Sequence, residues 1–229
     1  MALTADHVAL TLREVADPGL PTHWQPLTDA DYAVMIEALL PQDGGPLRIF
    51  AYGSLIWKPG FETGAQTRGT AHGWHRSFCL HLEQWRGSAE IPGLMLALQP
   101  GGSTTGVVIE AAGCPRVALD LLLRRELIAQ EHRDMARIVQ VRLEDGRRVE
   151  ALTFWAGPGG DIVVDLPAEE QAWRLAHACG HGGSGAEYLH QTVQALDAHG
   201  IRDRGLWHLQ ALVAEEIAAW GGAPPCFPG

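Results

Sequence analysis

Several patterns that would assign a function at once are missing from this chain. It has four cysteines in 229 residues, at positions 79, 114, 179 and 226. No two of them form a C-x-x-C pair, so neither a zinc site nor a dense disulfide framework is indicated. We expect free thiols, buried or partly buried, in a reducing cytoplasm.

The charge balance and the apolar runs limit the classes of partner. The formal net charge is −10 at pH 7, and an acidic surface repels nucleic-acid phosphates and anionic lipid headgroups. The longest apolar runs, such as Leu119–Leu123, are far shorter than the ~20 residues of a membrane span. The first residues lack the charged and apolar regions of a signal peptide. We therefore expect a cytoplasmic protein with a small-molecule partner and with no nucleic-acid or membrane partner.

Common cofactor and nucleophile motifs are also missing. Gly53-Ser54 is not followed by the Gly-Lys-Ser/Thr of a phosphate loop, and no G-x-S-x-G surrounds Ser54. His177 and His181 have the spacing of metal ligands on a helix, but Gly180 between them indicates that the helix has already ended. A helix end is favoured over a metal site, and we expect neither a metal nor an organic cofactor.

The first part of the chain predicts an arm followed by a helix. Residues 1–27 contain three prolines and little periodicity, which is typical of a leader arm. Thr28 is followed by acidic residues, as at many helix starts. Apolar residues then recur at helical spacing from Tyr32 to Leu40, and Pro41 ends the helix.

From Pro46 onward, short apolar or alternating runs predict β-strands. The first four runs are residues 47–57, 70–82, 93–100 and 104–112. Pro100-Gly101-Gly102 is a hairpin signal between the last two of these runs. Two later runs, 136–143 and 149–156, are joined by Glu144-Asp145-Gly146, which is a strong signal for a short hairpin.

Helices account for most of the remaining chain. Residues 116–129 predict a helix that places Val117, Leu121, Leu122 and Ile128 near one face. Three more helices are predicted over residues 166–180, 185–200 and 204–220. The mixture predicts an α+β fold on a small, mostly antiparallel sheet or barrel. We expect an N-terminal arm and helix (1–45), a single domain (46–221) and a C-terminal tail (222–229).

Gly53-Ser54 interrupts an apolar run at the end of the first predicted strand. Glycine permits close approach of a ligand or another backbone, and a bent strand end exposes consecutive N–H groups that can bind an anion. The segment is therefore a candidate pocket for a carboxylate or an oxyanion. The alternative is a β-bulge or a barrel corner with no ligand.

Glu126 follows two arginines on an otherwise apolar helix. Burial among leucines would raise the pKa of its carboxyl group, whereas pairing with an arginine would lower it. A raised pKa suits a general base that works near neutral pH. The alternative is an exposed acid that pairs with an arginine at the helix surface.

Taken together, the motifs resemble those of the ChaC-type γ-glutamylcyclotransferases. The resemblance runs from about Pro46 to about Val213, in the order and spacing of that family. Its elements are YGSLIW, GWHRSFC, TTGVVIE, LLLRREL and a C-terminal segment that contains EYLH. It implies a small β-barrel flanked by helices, no metal or organic cofactor, and release of 5-oxoproline from glutathione.

The resemblance also implies roles for individual residues. It makes Glu126 the catalytic residue and assigns the γ-glutamyl group to the loop formed by Tyr52, Gly53, Ser54, Leu55, Ile56 and Trp57. Arg86 belongs to an Arg-Gly segment with Pro-Gly behind it, and Tyr188 to the helical E/Q-Y-L motif; both are expected to bind substrate. Gly185 stands where the family usually has Asn, so a capping side chain is missing there.

The implied reaction is intramolecular. The α-amine of the γ-glutamyl group attacks its own γ-carbonyl, and Glu126 moves the proton. Two alternatives are a cyclotransferase for another γ-glutamyl amide or dipeptide, and a protein on this fold that binds γ-glutamyl compounds without catalysis.

Overall fold

The computed structural model describes residues 1–158 and 162–222. These residues form two compact units. The barrel unit comprises residues 20–76 and 98–158, and the helical unit comprises residues 1–19, 77–97 and the described part of 159–229. The single domain expected over residues 46–221 stays a prediction. The expected tail lies outside the described residues from residue 223 onward.

A closed five-stranded barrel is built from strands β1 to β5. These are β1 Arg48–Ala51, β2 Thr63–Leu82, β3 Gly93–Ala111, β4 Ala136–Leu143 and β5 Arg148–Phe154. Their order is β1-β3-β2-β4-β5, and a parallel contact between β1 and β5 closes the barrel. Residues 77–82 of β2 and 93–97 of β3 belong to the helical unit. The predicted fold class, α+β with a small and mostly antiparallel barrel, is confirmed.

The short strand β1 is fully buried over most of its length. Ile49 pairs with Ile109 of β3 and with Leu152 of β5, and all three side chains are almost inaccessible to solvent. Phe50 is also buried, and its carbonyl accepts a hydrogen bond of 2.9 Å from the hydroxyl of Thr153. Apolar contacts with both neighbouring strands therefore hold β1 in the barrel.

The hairpin predicted at Pro100-Gly101-Gly102 is wrong. The chain runs through these residues in the single strand β3, and Gly101 and Gly102 have φ values of 103° and 69°. Glycines with positive φ serve irregularities within a strand as well as tight turns, so the local signal does not distinguish the two. The hairpin predicted at Asp145-Gly146 is confirmed between β4 and β5.

Two helices of the barrel unit begin near their predicted positions. In α2, Asp29–Leu39, the Thr28 side chain accepts from the backbone of Asp31, as expected for a cap. In α3, Pro115–Glu126, the predicted face is wrong, because Val117 and Leu121 are 57% and 48% exposed. The buried stripe instead consists of Ala118, Leu119, Leu122 and Leu123.

The helical unit contains four helices and a minimal hairpin. They are α1 Ala5–Thr11, α4 Ala168–His177, β6 Cys179–Gly180, β7 Gly183–Ser184, α5 Gly185–Ala198 and α6 Arg204–Ala218. The sequence predicts the last three helices but not α1. That helix has only seven residues, which is too short for a clear periodic pattern. Leu3 and Val8 nevertheless anchor it in the core.

The cysteines within the described residues are free thiols. Cys79 and Cys179 are buried, as expected, and burial raises the pKa of Cys79 to about 11. Cys114, the N-cap residue of α3, is exposed, so the expectation of buried or partly buried thiols is wrong at this position. Cys226 lies outside the described residues. Among the described helices, none has both the length and the apolar character needed to cross a membrane.

The start of α5 is capped although Gly185 stands where Asn is usual in the family. The Ser184 hydroxyl accepts from the Glu187 amide at 3.1 Å and from the Thr11 hydroxyl at 2.7 Å. Gly185 itself lies against α4, so that an added Cβ would be 2.9 Å from the carbonyl oxygen of Leu175. The cap therefore comes from the neighbouring serine, and the glycine permits close helix packing.

Gly185→Asn is expected to lower the free energy of unfolding by about 1–3 kcal/mol, since the new side chain meets backbone atoms that cannot rotate away. Urea unfolding measures this change. Gly205→Asn is the control, because a Cβ there meets only the Asp203 side chain, at 3.3 Å. Equal unfolding midpoints for the two variants would contradict the packing argument.

Candidate active site

The loop that carries the Y-G-S motif begins where β1 ends. Ser54–Ile56 form a single 3-10 turn preceded by Gly53, whose φ is −147°. The positive φ that glycine permits is therefore not used at this position. The interruption of the apolar run marks the change from buried strand to turn.

The turn places several backbone N–H groups at its start. The amides of Ile56 and Trp57 donate to the carbonyls of Gly53 and Ser54, at 3.0 and 3.2 Å. The amides of Gly53, Ser54 and Leu55 precede the first of these bonds. Such N-terminal donors are the groups with which helical turns bind anions.

Tyr52 is held by its surroundings in the barrel unit. Its ring is buried, and its hydroxyl donates to the carbonyl of Phe154 at 2.8 Å. Its own carbonyl accepts a hydrogen bond of 2.7 Å from the Arg76 guanidinium. Leu55 and Ile56 are also buried. These contacts fix the loop on both sides of Gly53-Ser54.

Glu126 is the last residue of α3, and its side chain is 20% exposed. Burial raises the pKa of its carboxyl group, while the Arg125 guanidinium, whose Nε lies 3.0 Å from Oε1, opposes that rise. The partial negative charge at a helix C-terminus also disfavours an ionised carboxylate there. Burial and an arginine partner, the two environments considered from the sequence, are thus both present at Glu126. Burial has the larger effect on the pKa.

Arg125 joins the two predicted parts of the barrel-unit site. Besides its contact with Glu126, its guanidinium donates to the carbonyl of Lys58 and lies 3.5 Å from the Ser54 hydroxyl. The structure therefore brings the Y-G-S loop and the end of α3 together through one side chain. In the sequence, Arg125 is one of the two arginines that precede Glu126, and its contact with the loop is not predicted from the local pattern.

The remaining two predicted residues, Arg86 and Tyr188, meet within the helical unit. The Arg86 guanidinium carbon lies 5.7 Å from the centre of the Tyr188 ring, in the geometry of a cation–π contact. Arg86 also forms an ion pair with Glu187 and donates to the Ser184 carbonyl at 3.2 Å. The sequence alone does not predict Glu187 as the partner of Arg86, because their pairing depends on the fold.

Glycines leave room for Arg86 and for its contacts with Glu187, Ser184 and Tyr188. Gly183 has a φ of 106°, and a Cβ there would lie within 2.4 Å of both Arg86 and Glu187. At Gly87 a Cβ would lie 2.0 Å from the backbone nitrogen of Gly93. The Arg-Gly and Pro-Gly segments therefore pack backbone against backbone.

The histidine pair lies at a helix end, as predicted. Helix α4 ends at His177, which stacks on Trp173 at 4.5 Å and contacts the Trp173 carbonyl through Nδ1 at 2.8 Å. Within residues 1–158 and 162–222, no group of three or more His, Cys, Asp or Glu side chains could hold a metal ion.

Comparisons with known proteins agree with the motifs. The family model described as "ChaC-like protein" matches residues 47–216. A glutathione-specific gamma-glutamylcyclotransferase of Escherichia coli (strain K12) is 40% identical over 77% of this chain and 76% of its own. A glutathione-specific gamma-glutamylcyclotransferase 1 of Danio rerio is 33% identical over 75% of this chain and 90% of its own.

A solved structure supports the fold. The crystal structure of a glutathione-specific γ-glutamyl cyclotransferase from yeast has a TM-score of 0.65 and 21% identity to this chain. It is matched over 75% of this chain and 97% of its own. The family match covers most of the chain and includes both Y-G-S loop and Glu126. The chain therefore belongs to the ChaC family.

Proposed function

We propose that this protein is a γ-glutamylcyclotransferase that cleaves glutathione to 5-oxoproline and Cys-Gly. The observation that carries the proposal is a largely buried Glu126, held beside a loop of backbone donors in a chain whose relatives are named for this activity. Binding alone needs no buried base, so the non-catalytic alternative is disfavoured.

The reaction is a transfer within the substrate. The α-nitrogen forms a bond to the γ-carbonyl carbon, a five-membered ring closes, and the bond from that carbon to the cysteine nitrogen breaks. The α-nitrogen loses two protons as the ammonium becomes the N–H of the lactam, and the nitrogen of the departing Cys-Gly gains two as it leaves as an ammonium, so the protons balance and no water is consumed. Because both reacting groups belong to one molecule, the main task of the protein is to hold a folded conformer, and orientation can contribute ~7–11 kcal/mol.

Glu126 is the proposed general base and, in the next step, the general acid. Its carboxylate takes a proton from the α-ammonium, which makes the amine nucleophilic, and then returns a proton to the leaving nitrogen. One group can serve both steps because they are sequential. Its raised pKa brings its proton affinity closer to that of the groups it serves.

The Tyr52–Trp57 loop is the proposed site for the γ-glutamyl group. The amides of Gly53, Ser54 and Leu55 would hold the α-carboxylate or the developing oxyanion. Ser54 is a substrate contact and not a nucleophile, because the attacking nitrogen belongs to the substrate. Apolar surface around these donors is supplied by Leu55, Ile56, Trp57 and the side chain of Tyr52.

Arg86 and Tyr188 remain proposed substrate-binding residues on the family resemblance. Within the helical unit, the charge of Arg86 is balanced by Glu187. We therefore assign Arg86 hydrogen bonding and placement of the Tyr188 ring, and not an excess of positive charge. The acidic net charge of −10 supports a small molecule over nucleic acid as the partner, and we place the protein in the cytoplasm, where glutathione keeps thiols reduced.

The acidic side of the pH profile is expected to report Glu126. The base must be ionised, so kcat/KM falls as the pH falls through its pKa. Because burial raises that pKa, the fall should begin above the ~4.3 of an ordinary glutamate. Steady-state kinetics across the acidic range measures it, and a limb at or below the ordinary value would contradict a buried base.

A panel of γ-glutamyl compounds tests the proposed substrate. Purified protein is incubated with glutathione, γ-glutamyl dipeptides and simple γ-glutamyl amides, and 5-oxoproline and the released amine are quantified. Preferred turnover of glutathione supports the proposal. Preference for another compound supports the alternative substrate class, and binding without turnover of any compound supports a non-catalytic protein.

A further inference from the structure

The contacts of Arg125 use every nitrogen of its guanidinium group. Nε lies 3.0 Å from Oε1 of Glu126, one terminal nitrogen donates to the Lys58 carbonyl, and the other lies 3.5 Å from the Ser54 hydroxyl. The planar group thus reaches acceptors on α3 and on the loop at the same time. A lysine, with one nitrogen, cannot reproduce this geometry.

We propose that Arg125 is a positioning residue that holds the Glu126 carboxylate in a fixed orientation relative to the Ser54–Lys58 turn. The inference rests on the proposed function, because it assigns Arg125 to the alignment of the base with the loop donors. Arg125 acts through Glu126 and the loop. It is not assigned a contact with the reacting atoms.

The backbone at Gly60, just after the loop, also lies close to the Arg125 side chain. Gly60 has a φ of 78°, and a Cβ added there would lie 3.1 Å from a terminal nitrogen of Arg125 and 3.3 Å from its Cδ. The chain therefore turns closely around the guanidinium, and a larger residue would push on it. This contact is independent of the hydrogen bonds and places Arg125 between Gly60 and the turn.

The charge of Arg125 also bears on the strength of the base. Burial raises the pKa of Glu126, and Arg125 lowers it. Removing the positive charge should therefore raise the pKa further, so that the carboxylate would hold its proton up to a higher pH. Removing the charge of Arg124, which pairs with Asp29 and Asp120, should not produce this shift.

Arg124 is a matched control because it precedes Arg125 in the last turn of α3. Its guanidinium pairs with Asp120 at 2.9 Å and with Asp29 at 2.8 Å, and it lies over the Tyr32 ring at 4.4 Å. None of these contacts involves the Y-G-S loop or Glu126. Removal of either arginine loses a similar favourable interaction with the helix C-terminus, so the difference between variants reports the contacts of Arg125 with Glu126 and the loop.

The test compares Arg125→Gln, Arg125→Lys and Arg124→Gln in the full chain without substrate. Carbon-13 NMR of labelled glutamate carboxyls, assigned with Glu126→Gln, follows the titration of Glu126, and hydrogen exchange follows the amides of residues 54–58. We expect Arg125→Gln to raise the Glu126 pKa and to speed exchange in the turn. Arg124→Gln should change neither the Glu126 pKa nor the exchange rates. Arg125→Lys should keep the Glu126 pKa near the wild-type value, whereas exchange in the turn should still be faster than in wild type.

Kinetics on glutathione completes the test. Arg125→Gln should lower kcat/KM about 10–100-fold through kcat and move the acid limb to higher pH, since misplacement of a catalytic group has effects of this size. If Arg125→Gln matches Arg124→Gln in both titration and exchange, the positioning role is overturned. These two readouts need no turnover, so they decide the role of Arg125 even if wild-type protein releases no 5-oxoproline, which would reject the proposed function instead.

Discussion

Glu126→Gln is expected to lower the rate of 5-oxoproline release by about 10²–10⁴-fold, the usual contribution of a general base. Glutamine keeps the shape of the side chain and can still accept from Arg125, but it cannot take a proton from the α-ammonium. The loss should appear in kcat, because the loop donors that bind the substrate remain in place. Steady-state assays with glutathione at saturating concentration measure it.

The stability of this variant separates catalysis from folding. Because burial raises the pKa of Glu126 in the folded chain, ionisation costs folding free energy at pH values above the unfolded pKa, and stability is regained as the pH falls through the folded pKa. A neutral glutamine avoids that cost, so the Tm at neutral pH should equal or exceed that of wild type.

Glu131→Gln provides the control for the loss of one carboxylate. The Glu131 side chain is exposed and accepts only a long bond of 3.3 Å from the Gln25 amide among the contacts described. Its rate should stay within about twofold of wild type, as for most surface substitutions. Undiminished release by Glu126→Gln would remove Glu126 from the catalytic role.

Gly87→Ala is expected to have the largest effect on stability. A Cβ at this position would lie 2.0 Å from the Gly93 nitrogen and 2.8 Å from both the Gly93 Cα and the Leu82 carbonyl oxygen. All three atoms belong to the backbone, so no side-chain rotation relieves the contact. We expect a loss of about 3 kcal/mol or more in the free energy of unfolding.

Denaturant unfolding and a substrate-binding assay measure the result. Gly205→Ala is the matched control, since its Cβ meets only the Asp203 side chain and alanine favours the helix. It should unfold at the wild-type denaturant concentration or slightly above it. A wild-type midpoint for Gly87→Ala would show that the two glycine segments are not packed as described.

Local signals in the sequence predicted much of the fold. Thr28 caps α2 and Asp145-Gly146 turns between β4 and β5, because each of these features depends on a few adjacent residues. The same signals failed at Gly101-Gly102, where glycine pairs serve a strand irregularity and a turn alike. Helix α1 escaped prediction because its stability comes from packing of Leu3 and Val8 and not from its own pattern.

Local patterns likewise predict only part of the candidate active site. Glu126 and the Y-G-S loop stand out in the sequence, because a polar group in an apolar run is unusual. The contacts of Arg125 with Lys58 and Ser54 join residues about seventy positions apart, and the pairing of Arg86 with Glu187 spans about a hundred. Such contacts are fixed by the fold, so no local pattern predicts them. The roles assigned to the site residues stay predictions until the variants are measured.

The most direct test of the account is mass spectrometry of the products formed from glutathione in water enriched in oxygen-18. Cyclisation by the α-amine consumes no water, so the account predicts equal amounts of 5-oxoproline and Cys-Gly, with no oxygen-18 taken from the solvent during turnover. Hydrolysis of the same bond would give glutamate that carries one oxygen-18 atom. Labelled glutamate in place of 5-oxoproline, or no cleavage at all, would contradict the proposed reaction.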